Sequence, residues 1–541
     1  MRLRALSYAC VLALALATPP SAAVARSTET ALLVLMPVAS DVGLSIAHAP
    51  QADHSRESAR REIALRPAPE APGGNGGGKP NRGGVDGALQ SSAVDPATTI
   101  AGNVNVDGVG RGITPSYADC CTPPDTNLAV GTTQLVQWVN LDFAAFDKTT
   151  GALLPGYPKA GNSIWQGFGT GCEANNDGDP IVKFDAQNGR WIMTQFSVSS
   201  APYLQCVAVS NSDDFTNTTW NRYAYSFGSN FPDYPKVGIW PDGYYFTFNM
   251  FRFGATFMGS AACAFDAATG RAGGAASMQC FQFGTNVASL LPGDLDGATA
   301  AAGTTAPPPA GAAGYFMNFG SSSLSQYRAH FDFANSANST ITGPTTFATP
   351  SFATACGGGT CVPQAGTAQK VDSLGDRLMY RLAYRNFGTY ESLTVTHSVK
   401  GSGTAAPRWY ELRNDGTGWA IAQASSYAPD TTYRWMGSAA QDKAGNFAVG
   451  YSASSTAISP EIRYAGRLAS DAPSTLRQEV TVSLPSTGSE TGPYSRWGDY
   501  SSLSLDPADD CTFWYTTMHY KSFGNSFTWS TRIVNFKFPG C

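Results

Sequence analysis

Charge is thin and histidine scarce in this chain: of 541 residues, 14% are Asp, Glu, Lys or Arg and five are His. The net charge is −5, with no basic excess, and this excludes a general nucleic-acid binder. Several chemical signatures are also missing. There is no GxxxxGK[ST] loop for phosphates, no GxSxG elbow and no HExxH helix, which lowers nucleotide, serine-hydrolase and zinc-protease readings. No CxxC pair or histidine partner has zinc-site spacing. Beyond the N-terminus no apolar run is long enough to span a membrane, and no long amphipathic helix can be traced. What is plentiful is Gly (57), Pro (34) and aromatic residues (12%), the composition of many short strands joined by tight turns.

The first 25 residues run from a basic MRLR through an apolar core to Ala-Val-Ala, the pattern of a secretory signal peptide cut after Ala25. A secreted protein, extracellular or periplasmic, is therefore expected. Residues 26–97 include an Arg-, Pro- and Gly-rich tract without aromatics, which cannot bury enough apolar surface to offset its ordering entropy. This segment is read as a disordered propeptide or linker, with the folded domain at 98–541. Setting aside Cys10 in the signal peptide, ten cysteines remain, enough for five disulfides. Spacing suggests local pairs Cys263–Cys280, Cys356–Cys361 and Cys172–Cys206, leaving Cys120, Cys121, Cys511 and Cys541 to tie the two ends together.

Within 98–541 a unit of polar head, strand, turn and second strand recurs. Its copies include PPDTNLAVGTTQLVQWVN from Pro123, GDPIVKFDAQNGRWIMTQFS from Gly178 and PDYPKVGIWPDGYYFTFNMF from Pro232. Others are DRLMYRLAYRNFGTYESLTVTHS from Asp376, RWMGSAAQDKAGNFAVGYS from Arg434 and RWGDYSSLSLDPADDCTFWYT from Arg496, with a looser copy at LLPGDLDG. In the third copy Trp240-Pro241-Asp242-Gly243 reads as a tight turn with Gly where positive φ is needed. The spacing, roughly fifty to sixty residues, suits four-stranded blades. The expected fold is all-β, a six- or seven-bladed β-propeller closed by N- and C-terminal pairing and disulfides; a β-helix or two stacked sandwiches are the rival architectures.

In a propeller the heads meet around one mouth of the central channel. That places Asp125, Asp179, Asp233, Asp294, Asp376, Arg377, Arg434, Arg496 and Asp499 in one ring. Asp125, Asp179, Asp233 and Asp499 are candidate acids and bases for glycoside hydrolysis, with Tyr234 assisting, or else turn caps. Arg377, Arg434 and Arg496, with Tyr500 and His397, are candidate substrate-binding groups, three guanidinium forks suiting a carboxylate; the alternative is that the arginines brace neighbouring blades. Asn175, Asp177 and Asp179 alternate like part of a calcium loop, which makes structural calcium the cofactor to look for, a polar turn being the other reading. Most of the recurring aromatics, Trp138, Trp165, Trp191, Trp240, Tyr244, Tyr245, Trp435, Trp497 and Tyr500, are expected between blades.

Taken together, PDTNLAVG, DGDPIVKFD, FPDYPKVGIWPDGYY, DSLGDRLMYRLAYRNF, YRWMGSAAQDKAGN and SRWGDYSSLSLDP resemble exported bacterial β-propeller-like proteins of undefined function, over most of 119–541. The resemblance implies fold and export and carries over no catalytic residues. Three repeated arginines are also a sialidase-like feature, although the S-x-D-x-G-x-x-W repeats of sialidases are missing. The expected function is binding and hydrolysis of an extracellular glycan or cell-surface polymer at the channel mouth by a monomer; the alternative is a non-catalytic adhesion or surface-binding module.

Overall fold

A computed structural model describes residues 30–52, 61–62, 86–113, 121–299 and 305–541. Among these the chain is all-β, and its strands group into seven successive antiparallel meanders. The first runs from Asn127–Val130 and the second from Ile181–Asp185. The third, fourth and fifth begin with Asn230–Trp240, Leu291–Leu295 and Leu378–Asn386, and the last two with Tyr433–Gln441 and Ser502–Leu505. These leading strands are neighbours in cyclic order, Ser502–Leu505 packing back against Asn127–Val130. The fourth and fifth sheets are joined by direct parallel pairing of their leading strands, Asp294 standing opposite Ala383.

In the seventh sheet Ile100–Asp107 pairs antiparallel with Ser530–Lys537, so backbone hydrogen bonds join the start of the 98–541 region to its end. The end-to-end disulfide expected from the sequence does not form from the C-terminal side, because Cys511 bonds Cys541. The local bridges Cys172–Cys206, Cys263–Cys280 and Cys356–Cys361 are all present. Cys120 lies outside the described residues.

Between sheets the core is aromatic. Trp191 packs edge-on against Phe215 at 5.3 Å, and Phe215 in turn against Trp220 at 5.6 Å and Phe143 at 5.9 Å. All nine recurring aromatics named above are buried. In the third sheet the ladder sets Trp240 opposite Gly243, so Pro241 and Asp242 form a two-residue hairpin loop. Gly243 has no positive φ. It is required for another reason: a Cβ there would lie 2.9 Å from the Phe265 carbonyl oxygen.

The segment 26–97 is not wholly without structure. Ala39–Gly43 adds a fifth strand to the second sheet and Leu32–Leu35 a fifth to the third. Further on, Leu89–Gln90 pairs with the outer strand of the fifth sheet. The Arg/Gly/Pro-rich middle of the segment is preceded by residues 31–46, which are largely apolar and pair along the edges of two sheets. Among the described residues no helix is long and apolar enough to cross a membrane.

Candidate functional site

The heads of the meanders share a backbone feature that no residue-type motif announces. Asp125, Asp179, Tyr234, Ser289, Met436 and Asp499 all adopt left-handed φ, between 45° and 59°, two or three residues before the ladder of their sheet begins or resumes. In the third and sixth sheets this residue sits in a β-bulge, between Asp233 and Lys236 and between Trp435 and Ser438. Bulges of this kind re-aim side chains. Non-glycine residues in this region cost energy, and Asp tolerates it better than most.

Four of these residues, Asp125, Asp179, Tyr234 and Asp499, belong to one buried centre stitched across sheets. The Asp125 N–H donates to the Gly498 carbonyl at 3.0 Å, linking the first and seventh heads. Asn140 bridges the first and second: its Nδ2 donates to Asp125 Oδ1 at 3.2 Å, and its Oδ1 accepts from the Asp179 N–H at 3.2 Å. The Tyr234 hydroxyl donates to the Asp499 carbonyl at 3.3 Å, and the Tyr500 hydroxyl to the Pro180 carbonyl at 3.4 Å.

The cations are placed by the same framework. Arg496 ion-pairs Asp499. Arg377 makes a two-pronged pair with Asp376 at 2.8 and 2.9 Å and lies over the Tyr234 ring at 4.6 Å. Lys236, absent from the sequence-based site, is completely buried, with Nζ 3.4 Å from the Tyr234 ring centre and 3.8 Å from that of Tyr500. Lys236 Nζ also donates a 2.9 Å hydrogen bond to the Pro235 carbonyl. The signal for Lys236 in the sequence is only its place with Asp233 and Tyr234 in a charged, aromatic head before an apolar strand.

Burial, reinforced by Asp499 and Asp179, pushes the Asp125 carboxyl well above the usual carboxylate range. Burial also lifts Asp179 to about 6, with Lys236 opposing and Asp499 adding to the rise. Desolvation drops Lys236 to about 7, against the pull of Asp179 and Asp125. The Tyr234 and Tyr500 hydroxyls are raised, chiefly by burial, and stay protonated. The arrangement thus holds a protonated carboxyl and an ion-paired carboxylate in one place, the division of labour that acid–base chemistry uses.

The other candidates lie elsewhere. Asp233 pairs in the third-sheet ladder opposite Asn249. Arg434 is gripped by Asp430 at 2.9 Å and Glu479 at 2.6 Å. His397 is stacked among Phe319, Phe352 and Tyr410, its Nε2 3.1 Å from the Tyr410 hydroxyl, and burial keeps its pKa well below the ordinary histidine value. The Asn175 amide donates to Ser197 Oγ at 2.8 Å. The Asp177 carboxylate accepts from the Ser199 N–H at 2.8 Å and the Val198 N–H at 2.5 Å. Asn175, Asp177 and Asp179 are therefore each engaged with different partners. Among the described residues no group of three or more His, Cys, Asp or Glu side chains is placed to hold a metal.

Asp294, placed with the heads by the sequence reading, stands five residues beyond Ser289, further along the inner strand. It ion-pairs Lys183 at 2.5 Å and Arg381 at 2.9 Å. A cleft of about 60 Å³ opens beside this second network, lined in part by Lys183, Asp185, Asp296 and Arg381.

No protein-family model matches the chain. No curated protein matches it either. Among solved structures it is similar to an endo-arabinase from Bacteroides thetaiotaomicron VPI-5482, at 14% identity over 52% of this chain and 92% of that one, with a TM-score of 0.25. It is also similar to an α-L-arabinofuranosidase from Lactobacillus brevis, at 11% identity over 67% and 91% of the two chains, with a TM-score of 0.26. At TM-scores this low the two superpositions carry no weight for fold or function.

Proposed function

We propose that the chain is an exported, closed seven-bladed β-propeller whose central carboxylate cluster hydrolyses a neutral polysaccharide. The closed ring is supported by the cyclic order of the seven leading strands and by the pairing of Ile100–Asp107 with Ser530–Lys537. Export is supported by the N-terminal signal sequence and by four disulfides, which belong to oxidising compartments. The observation that carries the catalytic reading is the convergence of Asp125, Asp179 and Asp499, from three sheets and in the same left-handed backbone state, beside one buried lysine. Asp179, with its pKa near 6, is the proton donor, Asp499 the carboxylate partner, and Lys236 and Arg496 restrain the charge of the cluster.

A neutral substrate follows from the arginines. Arg377, Arg434 and Arg496 each have a carboxylate partner within the chain, so none is left over to receive an anionic sugar. A second reading, a non-catalytic binding module with an ion-paired hub, is favoured by one fact: every member of the centre is less than a tenth exposed. Reducing-end release from a panel of neutral plant and microbial polysaccharides separates the two. Wild-type protein should release products, and Asp179→Asn and Asp499→Asn should abolish release while the chain stays folded. If wild-type protein binds but releases nothing, the hydrolase reading is lost.

A further inference from the structure

The leading strands enclose a second site at their far ends. The cleft of about 60 Å³ beside Asp294 is lined in part by Val130, Lys183, Ile239, Asp296, Arg381 and Leu505, each lying in or directly after a different leading strand. Six of the seven sheets therefore contribute to it. Val130, Lys183, Ile239 and Leu505 stand four to six residues beyond Asp125, Asp179, Tyr234 and Asp499, the left-handed heads of the same sheets. At about 3.3 Å per residue, the cleft lies about 13–20 Å along the strands from the buried centre.

A chain of four charged side chains runs beside it. Asp294 Oδ2 accepts from Lys183 Nζ at 2.5 Å and from Arg381 Nη1 at 2.9 Å, and Arg381 Nη2 goes on to Asp296 Oδ2. The two inner members are held fast: Asp294 Oδ1 takes the Ile239 N–H at 3.1 Å, and Arg381 Nε donates to the Leu503 carbonyl at 2.9 Å. Lys183 and Asp296, the two ends, reach the cleft, their side chains 10% and 11% exposed against 1% and 2% for Asp294 and Arg381. An ammonium has three donors and a carboxylate two oxygens, and among the described residues the chain of ion pairs uses one of each. The neighbouring Asp185 and Asp510 are taken up by Tyr244, Asn188 and Arg385.

The cleft thus offers a donor at one end and an acceptor at the other, in a chain with two positive and two negative members. An anion drawn to Lys183 would face Asp294 and Asp296, and a cation drawn to Asp296 would face Arg381. Hydroxyl groups satisfy both ends without bringing charge, because each can donate and accept. The volume, about that of two water molecules in the liquid, matches two hydroxyl groups. Val130, Ile239 and Leu505 supply apolar wall for the carbons that carry them. We propose that this cleft binds one edge of a neutral sugar, Lys183 Nζ donating to one hydroxyl oxygen while Asp296 accepts from the neighbouring hydroxyl. The site is separate from the carboxylate cluster at the heads and does not depend on that cluster being catalytic.

Calorimetric titration of the full exported chain with a panel of neutral pentoses and hexoses tests it. The expected result is a sugar that binds wild type, with Lys183→Met and Asp296→Ala each raising its dissociation constant about tenfold or more. Because both positions belong to the chain of ion pairs, Ala186→Trp provides a variant that leaves every charge in place. Ala186 lines the cleft, so the indole should fill it and abolish binding with the urea midpoint unchanged. Asp179→Asn, at the heads, should leave the affinity as it is. Wild-type protein that binds no sugar of the panel overturns the inference, as does binding that survives all three cleft substitutions. Glycine or inorganic phosphate bound in place of the sugars overturns it equally. Binding lost in Asp179→Asn and kept in Ala186→Trp would put the sugar at the heads, ending this inference and leaving the hydrolase reading intact. Binding lost in Ala186→Trp by a chain that hydrolyses nothing would do the reverse.

Discussion

Replacing Lys236 by Met tests whether the central cluster is held together by charge or by packing. Met fills nearly the same space, so little apolar burial changes; what is lost is a buried ammonium between two tyrosine rings, 3.4 and 3.8 Å from their centres. Near pH ~6.5 Asp179, at about 6, is largely ionised and Lys236, at about 7, is largely charged. Removing one partner from a buried charge group costs about 3–5 kcal/mol. Near pH ~4.5 Asp179, raised to about 6, is largely protonated and no longer offsets the ammonium. The loss should then vanish or reverse, because an ammonium whose pKa is lowered by desolvation is a net cost to the fold once the carboxylate that offsets it is neutral. The sign follows from proton linkage. A carboxyl whose folded pKa is raised contributes stability that is present below its ordinary value of 3.8 and lost as pH climbs through about 6. Without Lys236 the Asp179 pKa rises further, so the variant loses stability more steeply with pH. Urea unfolding followed by tryptophan fluorescence at the two pH values measures both quantities. A loss equal at both, or larger at the lower pH, would refute the electrostatic account.

Three further predictions use the same assay. Glu490 is buried and lifted by desolvation to about 7, so wild type should lose up to about 3 kcal/mol as pH rises from 4.5 through 7; Glu490→Gln should flatten that slope, and parallel profiles would contradict it. Cys511→Ser opens a bridge spanning 30 residues and should cost about 3–4 kcal/mol by loop entropy, read as a lower urea midpoint. Arg434→Ala leaves Glu479, which also pairs with Arg463, short of a cation; we expect about 3 kcal/mol of lost stability and unchanged polysaccharide affinity. Normal stability with lost binding would return Arg434 to the substrate site.

The sequence by itself determined the all-β class, because two-residue periodicity and turn chemistry act within a single hairpin: the stretch from Phe231 to Asn249 folds as its residues dictate. Local spacing likewise suggested three of the disulfides that the structure contains. Aligning the repeats set Asp125, Asp179, Arg377, Arg496 and Asp499 in the polar heads of the repeated units. Lys236 stands out in the sequence as part of a charged, aromatic head with Asp233 and Tyr234, but nothing in PDYPKVG distinguishes a lysine pointing to solvent from one caged by Tyr234 and by Tyr500 of a distant sheet. Nor could it see that Arg434 turns to Glu479, or that Asp294 belongs with Lys183 and Arg381 further along the strands. The order of residues 32–43 is equally non-local: they pair with sheet edges some 180 to 250 positions away, Trp220–Ser226 and Met278–Gln282. Hairpins are decided by neighbours in the chain. Which carboxylate is protonated, which cation is spent and which edge is filled are decided by groups that only the folded structure brings within reach.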